Sequence, residues 1–191
     1  MRFRYLGGMT HTPTARLPLG NPPLLTTARL SLRATQIQDA ATIAELANDW
    51  EIARRLARLP HPYAIGDAHF FLREIVPHEL AWAITSKNDG ALLGVAGLVP
   101  HAAAETVELG YWLGQRHWGH GFATEAAQAI TRYAFEELGL PRLISGCFVE
   151  NVGSRRVLAK IGFEETGYGN RACLAVGSDL PFIEMTLERT V

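Results

Sequence analysis

Apolar residues along the chain change period several times, and each change marks an element. Thr27 to Arg33 alternates, with Leu30 and Leu32 on one face and Arg29, Ser31 and Arg33 on the other, as a half-buried strand requires. From Asp39 to Asn48 the period becomes helical, with Ala40, Ile43, Ala44 and Ala47 on one stripe. A second apolar set at Ile52, Leu56 and Leu59 runs to Pro60 and Pro62, so two short helices are predicted. Asp67 is expected to N-cap a third helix carrying Phe70, Phe71, Glu74 and Ile75 up to Pro77. Ala81 to Thr85 and Leu92 to Leu98 read as strands joined through Lys87-Asn88-Asp89-Gly90, where an Asp-Gly pair offers the positive backbone angles of a tight hairpin turn. Thr106 to Leu113 is a further strand. Ala123 to Leu138 is a helix whose stripe is Ala123, Ala127, Ile130, Ala134 and Leu138, closing at Gly139 and Pro141. Arg142 to Phe148 is strand-like, Asn151 to Ile161 helical, and Phe163 to Thr166 and Phe182 to Leu187 supply the last strands. The interleaving predicts an α/β fold with a mixed sheet.

Composition narrows the class. A chain of 191 residues fits one domain with an appended tail, and 48% apolar residues supply its core. Residues 1–25 are rich in Thr, Pro and Gly without apolar periodicity and read as an extended or disordered arm, leaving 26–191 as the domain. No repeat with a period of 20–50 residues is visible. A net charge of -1 gives no global attraction to nucleic acid or anionic lipid. Two cysteines, Cys147 and Cys173, make neither a disulfide framework nor a Cys-rich zinc site, and suit a reducing compartment. The opening MRFRYLGGMT lacks the apolar run of a secretory signal, and the most apolar stretch, Ala91 to Val99, is far shorter than a membrane span. A soluble, cytoplasmic protein is therefore expected. The seven histidines show no metal-binding spacing, so no metal is expected.

The chemistry concentrates in Glu108 to Phe163, which reads strand, turn, helix, strand, helix. In the turn, Arg116-His117-Trp118-Gly119-His120-Gly121 sets two glycines just ahead of a helix whose first four N–H groups have no internal partner. Such a turn can hold a phosphate: glycines permit close backbone approach, the N–H groups point outward, and the helix dipole favours an anion. It is not a P-loop, because His120 and Gly121 stand where Lys and Ser or Thr are needed. It is not a dinucleotide fingerprint either, because Thr124 replaces the third glycine and no acid at a strand end follows at the distance of a ribose clamp. On the glycines alone, a simple tight connection between strand and helix accounts for the turn equally well.

The whole arrangement resembles the GNAT acetyltransferases. Arg116-x-x-Gly119-x-Gly121 after a strand is similar to their Q/R-x-x-G-x-G/A pyrophosphate loop. Glu108-Leu-Gly-Tyr-Trp-Leu, the run from Trp118 to Glu125, and Asn151-x-x-Ser154 followed by Val157-Leu158 and Ile161-Gly162-Phe163 resemble the RimJ/RimL-like branch of ribosomal-protein N-terminal acetyltransferases. The resemblance covers roughly residues 27–187 and is specific over 108–163. It implies a single-domain fold whose mixed, mostly antiparallel sheet is splayed at one strand and flanked by helices on both faces, with acetyl-CoA as cosubstrate. It also implies contacts to that cosubstrate from Leu113, Arg116, His117, Trp118, Gly119, His120, Gly121, Phe122, Ala123, Thr124 and Asn151.

Alternation sets Glu108, Gly110 and Trp112 on one face of the strand and Tyr111 and Leu113 on the other. A carboxylate within this apolar strand needs a partner, so Glu108 is either paired with an arginine or kept as a proton acceptor near substrate. Glu108, working through water, is the candidate base. Ser154, on the buried face of its helix, is the candidate donor to the leaving thiolate, and equally a helix-start residue below an Asn151 cap. Leu158 stands where many relatives carry a tyrosine acid. Cys147 reads as a small buried hydrophobe rather than a nucleophile. The acceptor is expected to be a protein N-terminal α-amine, whose pKa of about 7.7–8.0 leaves more neutral amine near pH 7 than a lysine at about 10.4. Acetylation of an aminoglycoside or polyamine is the alternative, for which Asp39, Glu45, Asp49, Glu51, Asp67, Glu74 and Glu79 offer negative charge. A CoA-binding sensor without turnover is the alternative of another class. No nucleic-acid or membrane partner is expected, and assembly as a homodimer stays open.

Overall fold

The computed structural model describes residues 17–189 apart from 19 and 102–105. In chain order the strands and helices are β1 (Leu25–Thr26), β2 (Leu30–Ala34), α1 (Ala40–Ala47), α2 (Trp50–Ala53), α3 (Ile65–Phe70), β3 (Leu80–Ser86), β4 (Leu92–Pro100), β5 (Val107–Leu113), α4 (Phe122–Glu136), β6 (Arg142–Phe148), α5 (Val152–Lys160), β7 (Glu164–Cys173) and β8 (Ser178–Glu188). The strands form one eight-stranded sheet in the order β1-β2-β3-β4-β5-β6-β8-β7. Every neighbouring pair is antiparallel except β5 and β6, which run parallel and meet at a single register point, Glu108 against Ile144. Beyond that point they part, so the sheet is splayed where the resemblance implied.

Both faces are covered. On one, Leu30, Trp82, Leu109, Leu143 and Ile183 of the sheet pack against Ala127, Ile130 and Ala134 of α4 and Leu158 of α5. Ile130 is fully buried at the centre of that stripe and contributes roughly 1.5–3 kcal/mol. On the other face, Ala83 and Val95 pack against Ile43, Leu46 and Ala47 of α1 and Ala68 of α3.

Several boundaries differ from the sequence reading, each for a local reason. The second helix shrinks to the four residues of α2. Leu56 and Leu59 lie in irregular chain beyond it, near Pro60 and Pro62. Asp67 is not the N-cap of α3; it is the third helical residue, and its carboxylate accepts the Ala64 N–H at 2.8 Å. β7 and β8 are much longer than their apolar cores, because β7 is a polar edge strand held by ladder bonds to β8. Of the arm expected over 1–25, the described part lies against the core: Leu17 is buried, and the Pro23 carbonyl accepts the Trp82 indole N–H at 2.8 Å. Residues 1–16 lie outside the described residues.

Candidate active site

β5 ends at Leu113 and the chain turns through a short 3-10 segment, Gln115–His117, before Gly119 at φ 78° and Gly121 at φ 80°. Left-handed angles of this kind are costly for any residue with a Cβ, so the glycines make the turn. Gly121 caps α4 through its backbone: its carbonyl accepts the Glu125 N–H at 3.0 Å. The N–H groups of Phe122, Ala123 and Thr124 consequently have no helical acceptor and point out of the helix mouth. An anion there gains from both the N–H groups and the dipole.

The loop is braced from a direction the sequence did not disclose. The Glu125 carboxylate accepts from Thr27 Oγ1 at 2.6 Å and from Arg29 backbone N at 2.8 Å and side-chain Nε at 2.7 Å. Arg29 also donates to the His120 carbonyl at 2.9 Å and lies 4.6 Å over the Phe122 ring. The turn between β1 and β2 is thereby tied to the loop and brings a cation to its rim. Arg116 is exposed and reaches Glu45 at 3.4 Å, while its Nε donates to His117 Nε2 at 3.2 Å. Burial, and then the charge of Arg116, lowers the His117 pKa and keeps the ring an acceptor.

β5 offers an open edge inside the fold. Gly114 N–H bonds to the Leu93 carbonyl of β4, so alternation turns the backbone groups of Leu109, Tyr111 and Leu113 toward β6. The Leu109 carbonyl accepts the buried Ser145 hydroxyl at 2.8 Å, and the Leu113 carbonyl accepts the Trp118 indole N–H at 2.8 Å. The Tyr111 N–H and C=O and the Leu113 N–H are left facing the splay, where an amide-bearing chain can pair with them.

At the closed end of the splay Glu108 is paired. Arg171 of β7 donates to both its carboxylate oxygens, at 2.6 and 2.9 Å. The guanidinium lies 4.8 Å over the Phe182 ring, which rests on Gly146. Of the two readings open for Glu108, the arginine partner is therefore real, and the proton-acceptor role now has to be exercised by a carboxylate with two donors already on it. Ser154 meets a second hydroxyl: Tyr111 Oη lies 2.9 Å from Ser154 Oγ. Burial raises the Tyr111 phenol pKa far above its usual value, so the group remains a donor at neutral pH. Asn151 caps α5, its Oδ1 accepting the Ser154 N–H at 3.1 Å, which leaves its amide N–H groups for a ligand. Burial pushes the Cys147 thiol up to about 11, consistent with an inert core residue.

A cavity of about 540 Å³ adjoins the open end of the splay between α2, the end of β6 and the turn from β7 to β8, with Trp50, Arg54, Arg55, Phe148, Asn151 and Leu180 among its walls. Its charges are matched, two acids to two arginines: Glu51 binds Arg54 at 3.0 Å and Arg55 at 2.6 Å, and Glu150 lies 3.5 Å from Arg54. The loop residues 116–124, Leu113, Asn151 and Ser154 thus line or flank the splay, with Glu108 at its apex. Arg29 and Arg171 join them from positions that no local motif marks, and Tyr111 from within the quoted strand motif but with no role read from it.

Free N–H groups at a helix mouth beside an unpaired strand edge suit a diphosphate continued by an amide chain. Residues 29–164 match the acetyltransferase (GNAT) domain, and the chain belongs to that family. It is 31% identical over 153 residues to the uncharacterized N-acetyltransferase YoaA of Bacillus subtilis, a match spanning 76% of this chain and 85% of that one. Its fold superposes on a GNAT-family acetyltransferase from Bacillus anthracis with a TM-score of 0.78 at 22% identity, covering 87% of this chain and 98% of the other. It superposes on RimL, a ribosomal alpha-N-protein acetyltransferase solved in complex with coenzyme A, with a TM-score of 0.76 at 16% identity over 87% and 98% of the two chains. The chain is an acetyl-CoA-dependent N-acetyltransferase with the GNAT fold.

Proposed function

We propose that the acceptor is the α-amine of a protein or peptide N-terminus and that the enzyme works in the cytoplasm. The observation that carries this reading is the pairing of charge on the acceptor side. Of the seven acids that would draw a polycationic drug or polyamine, Asp39, Glu45, Glu51 and Glu79 each face an arginine, and Asp49 and Asp67 each hold a backbone N–H at the start of a helix. A polycation finds little net field there, whereas one α-amine, partly neutral near pH 7, needs none. The cavity beside the splay has room for the first residues of a peptide. RimL, an alpha-N-acetyltransferase of a ribosomal protein with the same fold, supports the same choice.

In this reading the N–H groups of Gly119, His120, Gly121, Phe122, Ala123 and Thr124 hold the diphosphate of acetyl-CoA, with Arg116, His117 and Trp118 shaping the rim. The open edge at Tyr111 and Leu113, together with the Asn151 amide, pairs with the pantetheine. Glu108 and Arg171 meet the amine at the apex. Ser154, backed by Tyr111, donates toward the departing sulfur. Mass spectrometry after incubation with acetyl-CoA tests the acceptor, using peptides with free and with blocked N-termini alongside spermidine and kanamycin. Acetylation of free N-termini is expected; acetylation confined to the small amines overturns the proposal.

A further inference from the structure

Two buried carboxylates in this chain are treated very differently. Asp39 receives two N–H groups of Arg33 at 2.8 and 2.7 Å and the Gln36 backbone N–H at 2.8 Å. Glu79 is only 5% exposed, yet among the described residues its carboxylate has a single ion-pair contact, 3.5 Å to an Arg58 that is itself largely exposed. A carboxylate accepts about four hydrogen bonds, and burying it with so few is unfavourable.

Glu79 is extended and immediately precedes Leu80, which pairs with Leu98 of β4. The same row continues from Val99 of β4 to Glu108 of β5. Alternation puts Glu79 and Glu108 on the same face, opposite the one that Leu80 and Leu109 present to α4, two strand spacings or about 10 Å apart. Among the described residues, the charged groups acting on Glu79 are Arg58, from the segment after α2, and Glu108, itself held by Arg171. Burial, opposed by Arg58 and aided by the charge of Glu108, raises the Glu79 pKa above the usual carboxylate range. The two carboxylates therefore divide in character: Glu108 has its oxygens occupied by a guanidinium, and Glu79 has acceptor capacity to spare.

We propose that Glu79 is the terminal acceptor of the proton that the attacking amine gives up, reached through Glu108 and intervening water. This rests on the reading of Glu108 as the residue the amine meets. As the nitrogen–carbon bond forms and the carbon–sulfur bond breaks, the proton from nitrogen passes to the Glu79 carboxylate and then to bulk water. The thiolate takes its proton from the Ser154 and Tyr111 hydroxyl pair, which solvent restores. Glu79 does not touch substrate; it acts as a proton-holding residue behind one that does.

Glu79→Gln removes the proton site and keeps the shape. Thiol release from acetyl-CoA is followed against pH with an N-terminally free peptide and, separately, with spermidine and kanamycin. The effect is read on whichever amine turns over, so failure of the α-amine reading shows as a change of acceptor and leaves this test intact. We expect kcat/KM at pH 7 to fall about 10²-fold, the acid limb of the profile to lose the enzyme's carboxyl and keep only the titration of the amine, and Glu79→Asp to restore part of the rate. The melting temperature of Glu79→Gln at pH 7 should equal or exceed the parent's, because an under-paired buried charge is gone, and that gain should vanish near pH 4. Carbon NMR of glutamate-labelled parent protein should show one carboxyl titrating above the usual range, absent in Glu79→Gln and shifted downward in Glu108→Gln. Activity within twofold of parent at all pH values overturns the proposal. So does a melting temperature that drops along with activity, or the absence of any high-titrating carboxyl.

Discussion

Replacing Gly146 by alanine should damage the enzyme through a chain of contacts that ends at Glu108. The new Cβ would lie 2.4 Å from the Ile183 carbonyl and 2.4 and 2.5 Å from two ring carbons of Phe182. One of those atoms belongs to the backbone of the paired strand β8, so the ring must give way and the ladder must stretch. Overpacking of this kind costs about 1–3 kcal/mol, and a backbone clash puts it at the upper end. At about 2–4 °C per kcal/mol for a chain of this length, the melting temperature should fall by roughly 6–12 °C. Phe182 also packs edge-on against Phe148 at 5.7 Å and carries the Arg171 guanidinium. Loss of that seat, about 1–2 kcal/mol, should lower kcat about 5- to 30-fold at a temperature where the variant is folded. The KM for acetyl-CoA should hold, because the phosphate loop is remote. Adding Phe182→Leu should recover stability by making room, and should not recover kcat. Scanning calorimetry and steady-state kinetics read both effects. A melting temperature within 2 °C of the parent, or a rise in acetyl-CoA KM as large as the fall in kcat, would refute this reasoning.

Gly121→Glu puts a Cβ into a left-handed backbone position and a carboxylate beside the helix mouth, so calorimetry should find coenzyme A binding lost; unchanged affinity would remove the loop from the account. Tyr111→Phe breaks the 2.9 Å contact with Ser154. It should lower kcat about tenfold or more with little change in either KM, and a parent-like kcat would assign the pair to packing alone. Burial, and then the charge of Asp67, pushes the Tyr63 phenol up to about 12. Its folded-state pKa exceeds the unfolded one, so the stability it contributes is intact below pH 10 and is lost as pH rises from about 10 through 12. Integrated, that loss is about 2–3 kcal/mol. Tyr63→Phe should flatten the alkaline limb of a denaturation series, and an unaltered limb would contradict the assignment.

The parts of this site visible in the sequence are those whose physics is local. Gly119 and Gly121 sit in the turn ahead of α4 where the sequence placed them, Gly90 takes the positive angle expected in the hairpin, and the stripe through Ala127, Ile130 and Ala134 faces the core as its period required. Asn151 caps α5 because the acceptor and the N–H it serves lie three residues apart. What the sequence could not disclose depends on distant chain. Glu108 visibly needed a partner, but Arg171 lies 63 residues away on a polar edge strand with no apolar pattern of its own. Arg29 reaches Glu125 from 96 residues away. Glu79 looked like one more surface acid because burial is a property of the packed sheet, and in the sequence it sits beside His78 just after Pro77, outside any periodic run. The hydroxyl pair of Tyr111 and Ser154 had half a signal, since Ser154 was already assigned to the buried side of its helix.

Titration of nitrogen-15-labelled protein with coenzyme A, and in parallel with pantetheine, probes most directly whether the mouth of α4 holds the diphosphate. The amides of Gly119 to Thr124 should shift with coenzyme A and remain still with pantetheine, while Tyr111 and Leu113 respond to both. Shifts that avoid the loop with coenzyme A, or that appear there equally with pantetheine, would contradict it.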